Sequence, residues 1–98
     1  MTLKILAIDD SRTIREMLRH ALGNAGFEVH LADDGVAGIE ALDHCHPDLV
    51  ITDLSMPAMD GIEFLKQVKV KDRDLPVILI TAHATVKSAV VPPSRSGT

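Results

Sequence analysis

The sequence predicts an α/β fold built on a doubly wound parallel sheet, and three observations carry that prediction. Apolar runs of strand length alternate with stretches whose apolar residues recur at helical spacing, in the order β-α-β-α-β-α-β-α. The strand runs are nearly continuous in apolar residues, as strands of a parallel sheet covered on both faces must be. Three of the four runs end in polar groups, at Asp9-Asp10, Asp53 and Thr81, and ligands of open α/β sheets bind beyond those strand ends.

Lys4 to Ile8 reads as a first strand buried on both faces. From Ser11 the apolar set becomes Ile14, Met17, Leu18, Ala21 and Leu22, the stripe of an amphipathic helix. Ser11 or Asp10 can cap it, and Gly23 with Gly26 stops it. Glu28 to Ala32 reads as a second strand and Gly35 to Cys45 as a second helix, with Val36, Ile39 and Leu42 on one face. Pro47 leads into a third strand, Asp48 to Asp53, followed by a loop punctuated by Pro57 and Gly61. A third helix is expected from Ile62 to about Val70, burying Ile62, Leu65 and Val68. Pro76 to Thr81 forms a fourth strand, and Ala84 to Val91 begins a fourth helix. Residues 1–91 are expected to form one domain, and the tail from Pro92 to Thr98 a flexible end or cloning scar.

Bulk properties exclude several classes of function. The 98 residues carry a net charge of −4, and phosphate-backbone binding wants the opposite sign. Phe27 and Phe64 are the only aromatic residues, too few for a base-stacking platform. Cys45 has no cysteine partner in the chain, so a reducing compartment is the simpler expectation. The N-terminal residues lack the apolar stretch of a secretion signal. No apolar run approaches the roughly 18 residues of a membrane span. The expected setting is the cytoplasm, with neither a membrane nor a nucleic acid as partner.

In the strand order 2-1-3-4, strands one and three are neighbours, and Asp9, Asp10 and Asp53 converge on one crevice. Taken singly, each acid fits a bland role: Asp10, before Ser11, could be a cap, and Thr81 an ordinary strand-end residue. Taken together, three carboxylates a few ångströms apart raise one another's pKa. Mg²⁺ relieves that repulsion, because it prefers oxygen ligands and retains water. A carboxylate in such a site can attack phosphorus to give an acyl phosphate. His44-Cys45-His46 suggests a softer metal site, but lacks the fourth ligand of structural zinc. Lys66, Lys69, Lys71 and Arg73 read as a solvated basic face, and His20 and His30 as exposed.

The segments ILAIDDSRTIR, DLVITDLSMPAMDG and PVILITA resemble a response-regulator receiver domain, nearest to the chemotaxis single-domain, CheY-like kind. The resemblance runs from Lys4 to about Ala84 and implies a flavodoxin-like fold. It further implies that Asp53 accepts a phosphoryl group from a histidine kinase. Asp9, Asp10, Asp53 and the backbone carbonyl of Ser55 would then hold Mg²⁺, with Asp9 acting mainly through a bound water. Thr81 would contact the phosphoryl group and couple it to the adjoining loop. Met56 and Pro57 would shape the acceptor loop, and Ser55 and His83 would influence phosphoryl lifetime.

The resemblance also implies a fifth strand ending in a lysine and a fifth helix, about 25 further residues. The matched pattern stops short of them, and Lys87 falls inside the expected fourth helix. The expectation is therefore a receiver truncated before the fifth strand. Its bare fourth-strand edge would promote homodimerisation or exchange of elements. Two other readings stand beside the signalling phosphoacceptor, which is not itself an enzyme. One is a small Mg²⁺ phosphohydrolase with an aspartate nucleophile. The other is a truncated receiver that is no longer phosphorylated and persists as a structural or swapped oligomer.

Overall fold

The computed structural model describes residues 2–54 and 59–80, together with the backbone of residues 89–90. Its strands are β1 (Lys4–Ile8), β2 (Glu28–Ala32), β3 (Leu49–Asp53), β4 (Val77–Ile80) and β5 (Ala89–Val90). Its helices are α1 (Arg12–Asn24), α2 (Gly35–Cys45) and α3 (Gly61–Lys71). The sheet order is β2-β1-β3-β4-β5, and β1 to β4 pair in parallel. The expected order of the first four strands is thus the observed one.

Beyond β4 the structure departs from expectation. Ala89 and Val90, placed in a fourth helix by the sequence reading, form a short strand antiparallel to β4 opposite Leu79 and Ile78. The open N–H and C=O groups of an edge strand recruit any extended segment within reach. The β4 edge is therefore partly covered by the chain itself. The rest of the expected fourth helix, and the tail from 92 to 98, lie outside the described residues.

Local chemistry sets the helix starts. Ser11, Asp34 and Asp60 occupy the N-caps, their side chains accepting the backbone N–H of Ile14, Ala37 and Glu63 respectively. Helix α1 ends at Ala25 and turns through Gly26 at φ +98°, a left-handed conformation that favours glycine. Helix α2 ends on His46 in the same region, at φ 49°, before the buried Pro47.

The parallel register builds two unlike faces. Leu6, Val50 and Val77 form one row, and Ile8, Thr52 and Leu79 the next. These rows meet α2 and α3 around Phe64 and Val68, both fully buried. The buried stripe of α3 is Gly61, Phe64 and Val68, whereas Ile62, expected in the core, is exposed. In α2 the buried residues are Gly35, Gly38, Leu42 and Cys45, and Val36 faces solvent. Leu42 and Val68 are buried as expected, but the rest of each stripe lies one position before the predicted one, because glycine lets a helix approach the sheet without contributing apolar bulk. On the opposite face α1 contacts β1 and β2. No residue of α1 is fully buried, and Met17 is exposed.

Among the described glycines, Gly38 leaves least room for a side chain. A Cβ there would lie 2.5 Å from Ile8 Cδ1 and 3.0 Å from Phe64 Cε1. We predict that Gly38→Ala lowers stability. Overpacking costs about 1–3 kcal/mol, against the ~1 kcal/mol gained when a helical glycine becomes alanine. Urea unfolding reads the balance, and a raised midpoint would show that Ile8 yields.

Candidate phosphoacceptor site

The three acids converge through the register of β1 and β3. Ile8 pairs with Thr52, so the next residues, Asp9 and Asp53, emerge side by side at the carboxyl edge of the sheet. Asp9, Asp10 and Asp53 each offer a carboxylate oxygen within 4.8 Å of the others. Asp9 and Asp53 are buried, at 3% and 7% exposure, while Asp10 is exposed. Among the described residues this is the one group of three or more acids, histidines or cysteines close enough to share a metal. His44, Cys45 and His46 do not converge in that way. Cys45 is buried, and burial raises its thiol pKa, which makes it inert rather than ligating.

Asp9 is fixed at each of its polar groups. Its N–H donates to the Ala32 carbonyl at 3.2 Å, and its carboxylate Oδ1 accepts the Ser11 N–H at 2.8 Å. Its carbonyl accepts Nη1 of Arg15 at 2.6 Å. Burial is the main cause that raises the Asp9 pKa above its ordinary value of 3.8; the Ser11 hydrogen bond opposes it, and the charges of Asp53 and Asp10 add to it. The carboxylate is held in place yet is costly to ionise.

The loop after Asp53 is anchored at both ends. The Leu54 N–H donates to the Ile80 carbonyl at 2.7 Å, and the Gly61 N–H donates to the Leu54 carbonyl at 2.8 Å. A Cβ on Gly61 would sit 2.8 Å from the Asp53 carbonyl oxygen and 2.8 Å from Leu54 Cα. Only glycine permits that return against rigid backbone. Met59 packs against Gly35, where a Cβ would meet Met59 side-chain atoms at 2.9 Å, tying this loop to the start of α2. The Thr52 hydroxyl, fully buried, donates to the Asp53 carbonyl at 3.2 Å.

Of the residues singled out from sequence, the structure brings together Asp9, Asp10 and Asp53. Thr81, Ser55, Met56, Pro57, His83 and Lys87 lie outside the described residues. Of the basic run, Lys66, Lys71 and Arg73 are exposed as expected, while Lys69 is half-buried and donates to the Leu75 carbonyl at 2.6 Å. His20 is exposed as expected, while His30 is half-buried and pairs with Glu28 at 2.6 Å. Sequence reasoning passed over Arg15, whose signal was a cation near the start of a helix with no acid in its first turn.

The site now has relatives to be set against. The family model described as response regulator receiver domain matches residues 5–91. Response regulator MprA of Mycobacterium leprae is 40% identical over 88 residues, which span 90% of this chain and 39% of that protein. Among solved structures, the chemotaxis protein CheY4 of Vibrio cholerae aligns with a TM-score of 0.82 at 35% identity, over 88% of this chain and 73% of that one. Response regulator protein TrrA of Thermotoga maritima, solved in complex with Mg(2+)-BeF, aligns with a TM-score of 0.81 at 34% identity, over 85% of this chain and 72% of that one. The chain thus spans 39% of the length of the MprA relatives it matches. By sequence match, sheet order and the acidic edge, it belongs to the response regulator receiver domain family, the signalling phosphoacceptors of two-component systems.

Proposed function

We propose that this chain receives a phosphoryl group on Asp53 from the phosphohistidine of a histidine kinase. The observation that carries the reading is the gathering of Asp9, Asp10 and Asp53 within 4.8 Å at the ligand-binding edge of the sheet. An Asp53 carboxylate oxygen forms the new O–P bond as the N–P bond of the donor breaks. The imidazole leaves with the electron pair, and an acyl phosphate remains on the protein.

The donor set fits Mg²⁺: oxygen ligands only, from buried and exposed carboxylates that repel one another. Asp9, Asp10, Asp53 and the backbone carbonyl of Ser55 would hold it. Bound there, Mg²⁺ would offset charge on the carboxylates and on the incoming phosphoryl oxygens. Asp9 and Asp10 shape the anionic side of the crevice, and the loop closed by Gly61 keeps Asp53 at the strand end. Thr81 is proposed to donate its hydroxyl to the phosphoryl group and to pass its occupancy to the following loop. The protein would act as a switch that assists its own phosphorylation and dephosphorylation, not as an enzyme with an external turnover substrate. The absence of a spanning helix among the described residues is compatible with the cytoplasmic setting that we propose. The receiver unit is proposed to occupy residues 1–91.

Incubation with Mg²⁺ and a small acyl-phosphate donor is expected to add one phosphoryl group by intact-mass measurement. Asp53→Asn abolishes that gain. No mass gain in the unsubstituted chain, or a gain that persists in Asp53→Asn, would contradict the reading.

The electrostatics give a second expectation. Because the folded-state pKa of Asp9 is raised, the folded protein holds more proton than the unfolded chain between the ordinary carboxyl range and the raised value. Metal-free stability therefore falls as pH rises across that window, and the penalty is complete once the pH lies above the raised value. Asp9→Asn keeps the acceptor for the Ser11 N–H but removes the charge. Its metal-free Tm at pH 7 is expected to rise and the pH dependence to flatten. Its Mg²⁺ affinity is expected to fall. A lower Tm than the unsubstituted protein would mean that the ionised carboxylate contributes more through its hydrogen bond than its burial costs.

A further inference from the structure

Helix α1 breaks a local rule at its start. A helix N-terminus carries partial positive charge and favours acids, yet the first turn of α1 holds no acid, and Arg12 and Arg15 stand there. Arg12 is exposed, whereas Arg15 is half-buried. A cation placed against the helix dipole and drawn partly out of water needs a compensating partner. Arg15 has one in the Asp9 carbonyl, which accepts Nη1 at 2.6 Å.

That contact sits at a strategic place. Asp9 begins the turn that carries Asp10, and its carboxylate also accepts the Ser11 N–H at 2.8 Å, next to the α1 N-cap. Since α1 has no fully buried residue, apolar packing alone holds its first turn weakly against the sheet. Arg15 closes a ring from the helix, through the Asp9 carbonyl, back to the helix cap.

We propose that Arg15 is a positioning residue: by clamping the Asp9 carbonyl it orients the Asp9–Asp10 turn for binding a divalent cation. This inference rests on the Mg²⁺ site proposed above and assigns part of its geometry to a residue that would not itself touch the metal. Outer-shell partners of this kind alter metal affinity by about 10–100-fold.

Charge and geometry predict opposite signs, which makes the test decisive. If Arg15 acted only as a nearby positive charge, its removal would tighten Mg²⁺ binding, since like charges repel. If it positions the turn, removal weakens binding. Mg²⁺ alone is titrated calorimetrically into the full chain and its Arg15→Met, Arg15→Gln, Arg15→Lys and Arg12→Met variants. Exchange of the Ser11 amide is followed by NMR in the metal-free proteins, with Leu6 as a core reference. Arg15→Met is expected to weaken Mg²⁺ about tenfold and to speed Ser11 exchange relative to Leu6. Arg15→Lys restores both, and Arg12→Met does not weaken binding. Arg15→Gln shows the same loss and decides the matter where Arg15→Met does not fold. Unchanged or tighter binding with unchanged Ser11 exchange overturns the proposal. Absence of Mg²⁺ binding by the unsubstituted chain overturns the site and this inference together, whereas normal binding unaffected by Arg15 overturns only the inference.

Discussion

Three carboxylates held within 4.8 Å of one another repel, and much of the local architecture is arranged to withstand that repulsion. Two of the three are buried, so water does little to screen them. The fold keeps them together by backbone means. Parallel pairing of β1 with β3 fixes the spacing between Asp9 and Asp53. The Ala32 carbonyl, Ser11 N–H and Arg15 guanidinium occupy the polar groups of Asp9. Such an arrangement favours a positive ligand, as the proposed phosphoryl-transfer centre would require.

The two faces of the sheet make unequal contributions to this arrangement. Helices α2 and α3 cover one face with a dense core around Phe64, Val68, Leu6 and Ile8, and glycines at 35, 38 and 61 allow the close approach. That face is the rigid platform, and the loop after Asp53 is tied to it through Gly61 and the Met59–Gly35 contact. The other face has α1 against β1 and β2, while Leu49, Ile51, Ile78 and Ile80 are half-buried. Polar clamps matter most on that side, where apolar packing supplies least. The antiparallel β5 beside Ile78 and Leu79 serves the same need for satisfied groups at the sheet edge.

Lys4–Ile8 was legible because a strand inside a parallel sheet demands nearly continuous apolar residues; the less apolar Glu28–Ala32, at the sheet edge, also appears with the bounds read. The acidic trio was legible for a related reason: strand ends are punctuated by a change from apolar to acidic residues, and topology alone makes those ends neighbours. Helix faces were read less well. A periodicity argument weights bulky residues, so it chose Val36 and Ile62, while the sheet-facing stripes run through Gly35, Gly38, Gly61 and Phe64. Arg15 was missed because its partner is a backbone carbonyl, which has no signature in side-chain chemistry. The strand at Ala89–Val90 was missed because its cause lies in the unpaired edge of β4 and not in the segment itself.

The most direct test of the central claim, that the acid cluster is a cation site whose charge penalty the protein carries until it is filled, is the effect of Mg²⁺ on unfolding. Thermal melts at neutral pH should shift upward with Mg²⁺ concentration and follow single-site linkage, by about 2.7 kcal/mol at one hundred times the dissociation constant. NaCl at matched ionic strength should reproduce little of that shift. Equal stabilisation by the two salts would reduce the cluster to a screened acidic patch and contradict the account.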